Sequence, residues 1–597
     1  MKKLISIMLS VSMLFSMLAV SVFAAENKAV DRDDIIFVES TEALKKLDRD
    51  SIPVVEVPGF GETIYRNLHT EDESDDTTVF GPSMDKMIPA LVKYLPGFLA
   101  GVMLEDHDLI TNNLGPFVLE AFDGLGCNPD GTMKEGTGGK YDNSLWLDEN
   151  LEPIPPEEIE IPEPDMMEQI SGKISAFFNG ITAKINEAFA MLSSLVNPPA
   201  AEPEEPEEDV IPEPKYGYGH TFSFSFDWRK DMHTLAGELR DYIERVKKVT
   251  GSEQVAITAF SQGNCVVMTY LYEYFYTETD PEVRDDIYAV VFMCGAMNGV
   301  SACADPVSGN IKLDSLSLLR FVKSLLGNSS STLGIYYMVE MLYAVGLFDA
   351  IVERVNNYIE DGFEDAIDPY LLETFGGIPG FFAMMSPERY QDAEEFLFGT
   401  PELQEKYAGL LEKNRYYHNE VQPNMPDIIE MLMSEGINVG ILAEYGYPVA
   451  PATADNDVMT DGTICTTDES FGAVCSEVDG ILGLDYVQEK ECECGGNHVS
   501  CDLQIDASTC LFPDITWFGK NLRHDGSRRF WLELIDLIIY SDEQITVWDY
   551  ADYPQFMISY EDSFLVPLTN DGTYAVAFED TLVFGKIRAD GKGSLSV

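Results

Sequence analysis

Ser261 sits in VAITAFSQGNCVVMTYL, residues 255–271, where an apolar run suited to a buried strand meets a turn and then an apolar run suited to a helix. A serine at the apex of such a turn can act as a nucleophile, because a tight strand–turn–helix elbow holds its hydroxyl clear of the backbone. The elbow needs small residues two before and two after the serine, where strand and helix crowd it. Gly263 meets that need, and Ala259 replaces the usual first glycine. The amide of Gln262, at the start of the helix, would point at negative charge developing on an attacked carbonyl oxygen. A second donor should come from a loop after an earlier strand. In VVEVPGFGET the Pro58-Gly59 turn leaves the amide of Phe60 to face the same place. The plain alternative is that both stretches are ordinary structural turns, since small residues often join strands to helices.

The surrounding pattern supplies elements to position these groups. Ile52 to Val57 reads as a buried strand, HTFSFSFDWR alternates like a strand, and Met232 to Lys248 reads as an amphipathic helix. Val255 to Ala259, Asn264 to Phe275 and Ile287 to Met293 continue as strand, helix, strand, and Ile437 to Leu442 restores a strand later. Strands alternating with helices predict an α/β fold, a mostly parallel sheet with helices on both faces. Residues 305–435 break the rhythm with long helical patterns and are expected to form a helical cap. Residues 561–597 alternate apolar and polar around an Asn-Asp-Gly turn and suggest a small β appendage. A second insertion, about 135–215, holds two Pro/Glu-rich linkers, 152–164 and 198–214, around residues 165–196. The apolar positions of 165–196 recur at helical spacing, so this tethered helix is read as a mobile lid, a lipid-interface binder, or a helix docked on the core.

Charge and processing signals narrow the setting. The 597 residues carry 38 basic and 103 acidic side chains, a net charge of −65, and such a chain repels nucleic acid phosphates. Residues 1–24 have a two-lysine start, an apolar run and a small-residue end, as in a short bacterial secretory signal, so the chain is expected outside the cell. Ten cysteines in an exported chain favour disulfides, with Cys294 near Cys303, Cys465 near Cys475, and Cys492, Cys494, Cys501 and Cys510 clustered; Cys127 and Cys265 are left as free thiols. The cluster contains His498 and offers zinc ligands. However, Cys492 and Cys494 stand one residue apart instead of the two to four of common zinc modules, so disulfides are expected there and no metal.

VPGFGE, then FSFDWR, then a helix and AITAFSQGNCVVMTYL resemble the lecithin:cholesterol acyltransferase and related lipase family of the α/β-hydrolase fold. The family carries a PYDWR-like segment a short helix upstream of its elbow, and MCGAMNGV resembles its GAPxxG-like loop without the proline. The match covers the sheet core well and the region beyond residue 530 hardly at all. It implies a triad in the order serine, acid, histidine. Asp461-Gly462-Thr463-Ile464 resembles the family's DGTVP-like turn and makes Asp461 the acid. Asp457 is the runner-up, and Asp455 and Asp468 share the loop. This acidic loop also suggests calcium, but Met459 occupies a required ligand position. Only His498 and His524 follow the acid, and His524 ends DITWFGKNLRH, which resembles the family's segment carrying the catalytic histidine. Trp228, within Asp227-Trp228-Arg229, is implied to lie by the acyl site or to brace the loop. The resemblance implies a secreted serine esterase or lipase without a cofactor, acting on lipid or other esters. Acyl transfer to an alcohol would use the same residues, and a non-catalytic surface-binding protein on this scaffold is the reading from another class.

Overall fold

The computed structural model describes, with short interruptions, residues 52–60, 66–67, 89–151 and 221–568, and short strands beyond. The N-terminal segment, residues 165–196 with both Pro/Glu linkers, and Asp455 lie outside the described residues.

Eight strands form the central sheet. In chain order they are β1 (Val54–Val57), β2 (Thr221–Ser223), β3 (Val255–Phe260), β4 (Ile287–Met293), β5 (Asn438–Tyr445), β6 (Thr516–Lys520), β7 (Phe556–Tyr560) and β8 (Phe564–Pro567). Across the sheet the order is β8-β7-β6-β5-β4-β3-β1-β2. All neighbours pair parallel except β7 and β8. The α/β expectation therefore holds. Every residue of β3 and β5 is buried, and because alternate residues face opposite sides, both faces of the sheet must be covered. Each fully buried Val or Ile in these strands contributes about 1.5–3 kcal/mol of apolar burial.

The sequence also explains how the helices begin and end. Helix α1 (Met232–Thr250) starts where the Asp231 side chain accepts from the Thr234 amide at 3.0 Å. It stops at Gly251, whose φ of +73° suits a residue without a Cβ, and Lys247 and Lys248 lie at its negative end. Helix α2 (Gly263–Leu271) leaves β3 and is wholly buried. Between β4 and β5 run α3 (Ser315–Leu326), α4 (Leu333–Ala344), α5 (Leu347–Glu360), α6 (Pro387–Phe398) and α7 (Met425–Ser434). Leu319, Val339 and Phe348, from α3, α4 and α5, form a small core of their own. Helix α8 (Arg528–Tyr540) packs on β4 and β5. Among the described residues no helix is long and apolar enough to cross a membrane.

The sheet departs from the sequence reading at two places. In HTFSFSFDWR only Thr221–Ser223 forms ladder pairs, after which the chain turns toward α1. The boundary expected at residue 560 falls inside a hairpin, because β8 pairs antiparallel with β7 and extends the main sheet. Beyond this hairpin the short strands Thr573–Tyr574, Ile587–Ala589 and Leu595–Ser596 form a separate three-stranded sheet.

The cysteine expectation is corrected: none of the ten cysteines is joined in a disulfide. Cys294 follows β4 while Cys303 lies in the helix Ser301–Val307, and Cys465 precedes the turn Thr466–Glu469 while Cys475 lies in the strand Val474–Cys475. Cys492 and Cys494 share one loop without a bond between their sulfurs. The Cys465 sulfur lies 3.6 Å from the Ser301 hydroxyl, that of Cys475 lies 3.7 Å from the Thr467 hydroxyl, and that of Cys501 lies 3.5 Å from the Leu568 carbonyl.

Candidate active site

Ser261 follows the last residue of β3 with φ +52°, a left-handed conformation that costs a side-chain-bearing residue about 1–3 kcal/mol. Its neighbours hold it there. Its amide donates to the Met293 carbonyl at 3.1 Å, and its carbonyl accepts from the amides of Asn264 at 3.1 Å and Ala296 at 3.2 Å. The buried Asn264 side chain adds bonds to the Ser261 and Met293 carbonyls at 2.9 and 3.0 Å. Asn264 thus clamps the turn to β4, a role its position after the motif did not reveal. The small residues are needed for the reason the motif suggests: a Cβ on Gly263 would lie 2.4 Å from the Val57 carbonyl oxygen. Ala259 lies inside β3 and is fully buried.

Three strand ends bring the other candidates together. His524 follows β6, and Asp461 lies in the loop after β5. The His524 Nε2 lies 2.9 Å from the Ser261 Oγ, and its Nδ1 bonds the Asp461 carboxylate. A backbone bond from the His524 amide to the Asp461 carbonyl, 3.0 Å, fixes the two loops in register. The other Asp461 oxygen accepts from the amides of Thr463 and Ile464, both at 2.7 Å. Burial alone would raise this carboxyl. The charge and hydrogen bond of His524, with the loop amides, instead hold it below the ordinary aspartate value. Phe260 packs against the His524 imidazole with ring centroids 4.9 Å apart and the planes tilted.

Two further carboxyls stand behind Asp461, and the sequence reading missed both. Glu444, a lone charge near the end of the apolar strand β5, accepts from the Trp531 indole at 3.0 Å, and burial and the Asp461 charge push it up to about 8. Glu469 accepts from the Glu444 amide at 2.7 Å, and burial and the Asp461 charge raise it well above the ordinary value. Neighbouring carboxyls in an apolar setting do not all ionise. The negative charge stays on Asp461, the one with two amides and an imidazole.

The predicted oxyanion donors flank the serine. Gly59 comes close enough that a Cβ on it would lie 2.8 Å from the Ser261 Cβ, and this brings the Phe60 loop against the elbow. Neither the Phe60 nor the Gln262 amide donates to a described residue. The Gln262 side chain donates to the carbonyls of Trp228 at 3.0 Å and Gly380 at 2.8 Å, tying the elbow to the segment between α5 and α6. Trp228 is fully buried and packs on Phe60 with centroids 4.4 Å apart. It braces the Phe60 loop from behind. Beside it Arg229 makes two bonds to Asp227, 3.0 and 2.8 Å, and reaches the Thr137 carbonyl at 2.6 Å.

The remaining candidates fall elsewhere. Asp457 is exposed and pairs with Arg320 at 3.3 Å. His418 is buried between Gln422 and the Phe382 carbonyl. His498 lies with Cys492, Cys494 and Asp514, whose ligand atoms all fall within 4.8 Å of one another. The ligand atoms of Cys294, Asp461, Glu469 and His524 are equally close. In that second group, however, both imidazole nitrogens are already committed to Asp461 and Ser261.

The arrangement can relay a proton: with the ring N–H on the nitrogen that faces the buried Asp461 carboxylate, the other His524 nitrogen would accept from the Ser261 hydroxyl. It lies where the C-terminal ends of the parallel strands open, beside the point where strand order reverses between β1 and β3. No model of a known protein family matches the chain, and no curated protein matches it.

Proposed function

We propose that this chain is a serine hydrolase of the α/β-hydrolase fold, similar to the lecithin:cholesterol acyltransferase and related lipase family, which cleaves carboxylic esters of lipids outside the cell. The observation that carries the reading is His524 spanning Ser261 and Asp461 with both ring nitrogens. His524 Nε2 takes the proton as the Ser261 Oγ attacks the ester carbonyl carbon. The amides of Phe60 and Gln262, the latter at the positive end of α2, stabilise the tetrahedral oxyanion. Protonated His524 then gives its proton to the leaving alkoxide, and the acyl group stays on Ser261. Water enters, His524 takes its proton, and attack on the acyl-enzyme releases the carboxylic acid and regenerates the serine. Asp461 holds the imidazole in the working tautomer and balances its transient charge.

Labelling with a fluorophosphonate probe tests this directly. Stoichiometric modification of Ser261, absent in Ser261→Ala, is expected. A folded protein that takes up no probe and cleaves no ester would return the chain to a non-catalytic binding scaffold.

A further inference from the structure

A second polar cluster lies at the opposite end of β6 from His524. Cys492, Cys494 and His498 come from one loop, and Asp514 stands just before the strand. The Cys494 sulfur is 3.2 Å from the His498 Nε2, that nitrogen is 3.6 Å from the Asp514 Oδ1, and the Cys492 sulfur is 3.8 Å from both Asp514 oxygens. A tetrahedral zinc ion with Zn–S of about 2.3 Å and Zn–N and Zn–O of about 2.0–2.2 Å separates its ligand atoms by about 3.4–3.8 Å. Three of the six ligand separations already lie near those edges, and the other three are no longer than 4.8 Å.

The atoms around the cluster prepare each ligand. Gln555 is buried, and its amide nitrogen donates to the carbonyls of Pro513 at 2.7 Å and Thr516 at 3.1 Å. Its oxygen, 2.7 Å from the His498 Nδ1, must therefore accept, which puts the proton on Nδ1 and the lone pair on Nε2, the atom facing the cluster. The Cys494 amide donates to the Cys492 sulfur at 3.3 Å, and the Gly496 amide donates to the Cys494 sulfur at 3.2 Å. These N–H groups hold both sulfurs in place toward the cluster. The Trp548 indole donates to the Asp514 Oδ1 at 2.9 Å and orients that carboxylate.

We propose that Cys492, Cys494, His498 and Asp514 bind one zinc ion as a structural site. Binding forms two Zn–S bonds, one Zn–N bond and one Zn–O bond; the two thiols release their protons to solvent, and no electron moves. Four protein ligands leave no open position for substrate, which marks a structural site. The site and the triad are separated by β6, whose five residues span about 17 Å. The ion ties the loop carrying the cysteines to the start of β6 and, through Gln555, to the start of β7.

Full-length protein purified under reducing conditions, loaded with a zinc salt and desalted should retain one equivalent of zinc. Cys494→Ser and His498→Ala should lose it while keeping the circular dichroism spectrum of the parent. Cobalt in place of zinc should show a thiolate charge-transfer band and the intense visible bands of a tetrahedral ion, both absent in Cys494→Ser. If these variants do not fold, alkylation of the parent protein decides. Bound zinc should protect Cys492 and Cys494 from iodoacetamide until a chelator is added, as read by mass spectrometry of the peptides. Absence of stoichiometric zinc, a cobalt spectrum unchanged by Cys494→Ser, equal alkylation with and without zinc, or a Cys492–Cys494 disulfide in the zinc-loaded protein would each overturn the proposal.

Discussion

The two ends of β6 carry two polar clusters built in opposite ways. Past its C-terminal end, His524 joins Ser261 and Asp461, residues 263 and 63 positions away in the chain. Before its N-terminal end, Asp514 meets three residues of a single loop, all within 22 positions of it. The first cluster satisfies itself: each atom of the relay hydrogen-bonds to protein, and the strained serine is held from both sides. The second brings two sulfurs, an imidazole nitrogen and a carboxylate within 4.8 Å of one another. A group complete in itself can move protons, whereas a group of converging electron-pair donors calls for an ion.

The largest effect is expected at Ser261. Ser261→Ala is expected to lower kcat/KM for a short-chain ester by at least about a thousandfold, leaving zinc content unchanged. Loss of both properties together would mean that the clusters are not independent. Asp461→Asn should cost about a thousand- to ten-thousandfold in kcat, because the amide cannot hold the working tautomer of His524. Asp457→Asn, on an exposed side chain, should leave the rate unchanged, and steady-state kinetics of the pair check the acid assignment.

A Cβ at Gly263 would meet backbone rather than a movable side chain. Gly263→Ala should therefore reduce kcat about ten- to a hundredfold by displacing the Phe60 loop from the oxyanion position, with a lower melting temperature. Chelation of zinc should do the reverse. The melting temperature should fall by several degrees while the rate at low temperature stays within about twofold, as for a structural ion.

The smallest effect concerns the carboxyls behind the triad. Glu444 is pushed up to about 8 from an ordinary value of 4.5, so the folded protein keeps a proton that the unfolded chain releases. That contribution to stability is full below pH 4.5 and is lost as pH rises through about 8. Glu444→Gln removes the loss, so its melting temperature should rise relative to wild type from pH 6 to pH 9 and match it near pH 4. Thermal melts across that range would show a constant gap if Glu444 did not titrate there.

How much was legible varied with the range of the interaction. β1, β3, β4 and β5 could be read because each is a short apolar run between turn signals, and a fully buried strand needs that pattern locally. β6 sits in DITWFGKNLRH, where the run is brief and polar residues follow at once, and the segment drew notice only through its histidine. β7 and β8 alternate like a solvent-facing hairpin, and only their pairing with β6 assigns them to the main sheet.

By itself the sequence determined the elbow, the chain order of the three relay residues and the parallel α/β core, since these rest on side-chain size, spacing and periodicity over a few residues. Tertiary structure alone decided that close cysteines form no disulfides, that Asn264 clamps the serine, that Glu444 and Glu469 share Asp461's burial, and that Asp514 comes within 4.8 Å of the His498, Cys492 and Cys494 ligand atoms. Each of these depends on where separate segments meet once the sheet has closed. Packing sets such meetings, and it acts over distances in the chain at which local periodicity carries no signal.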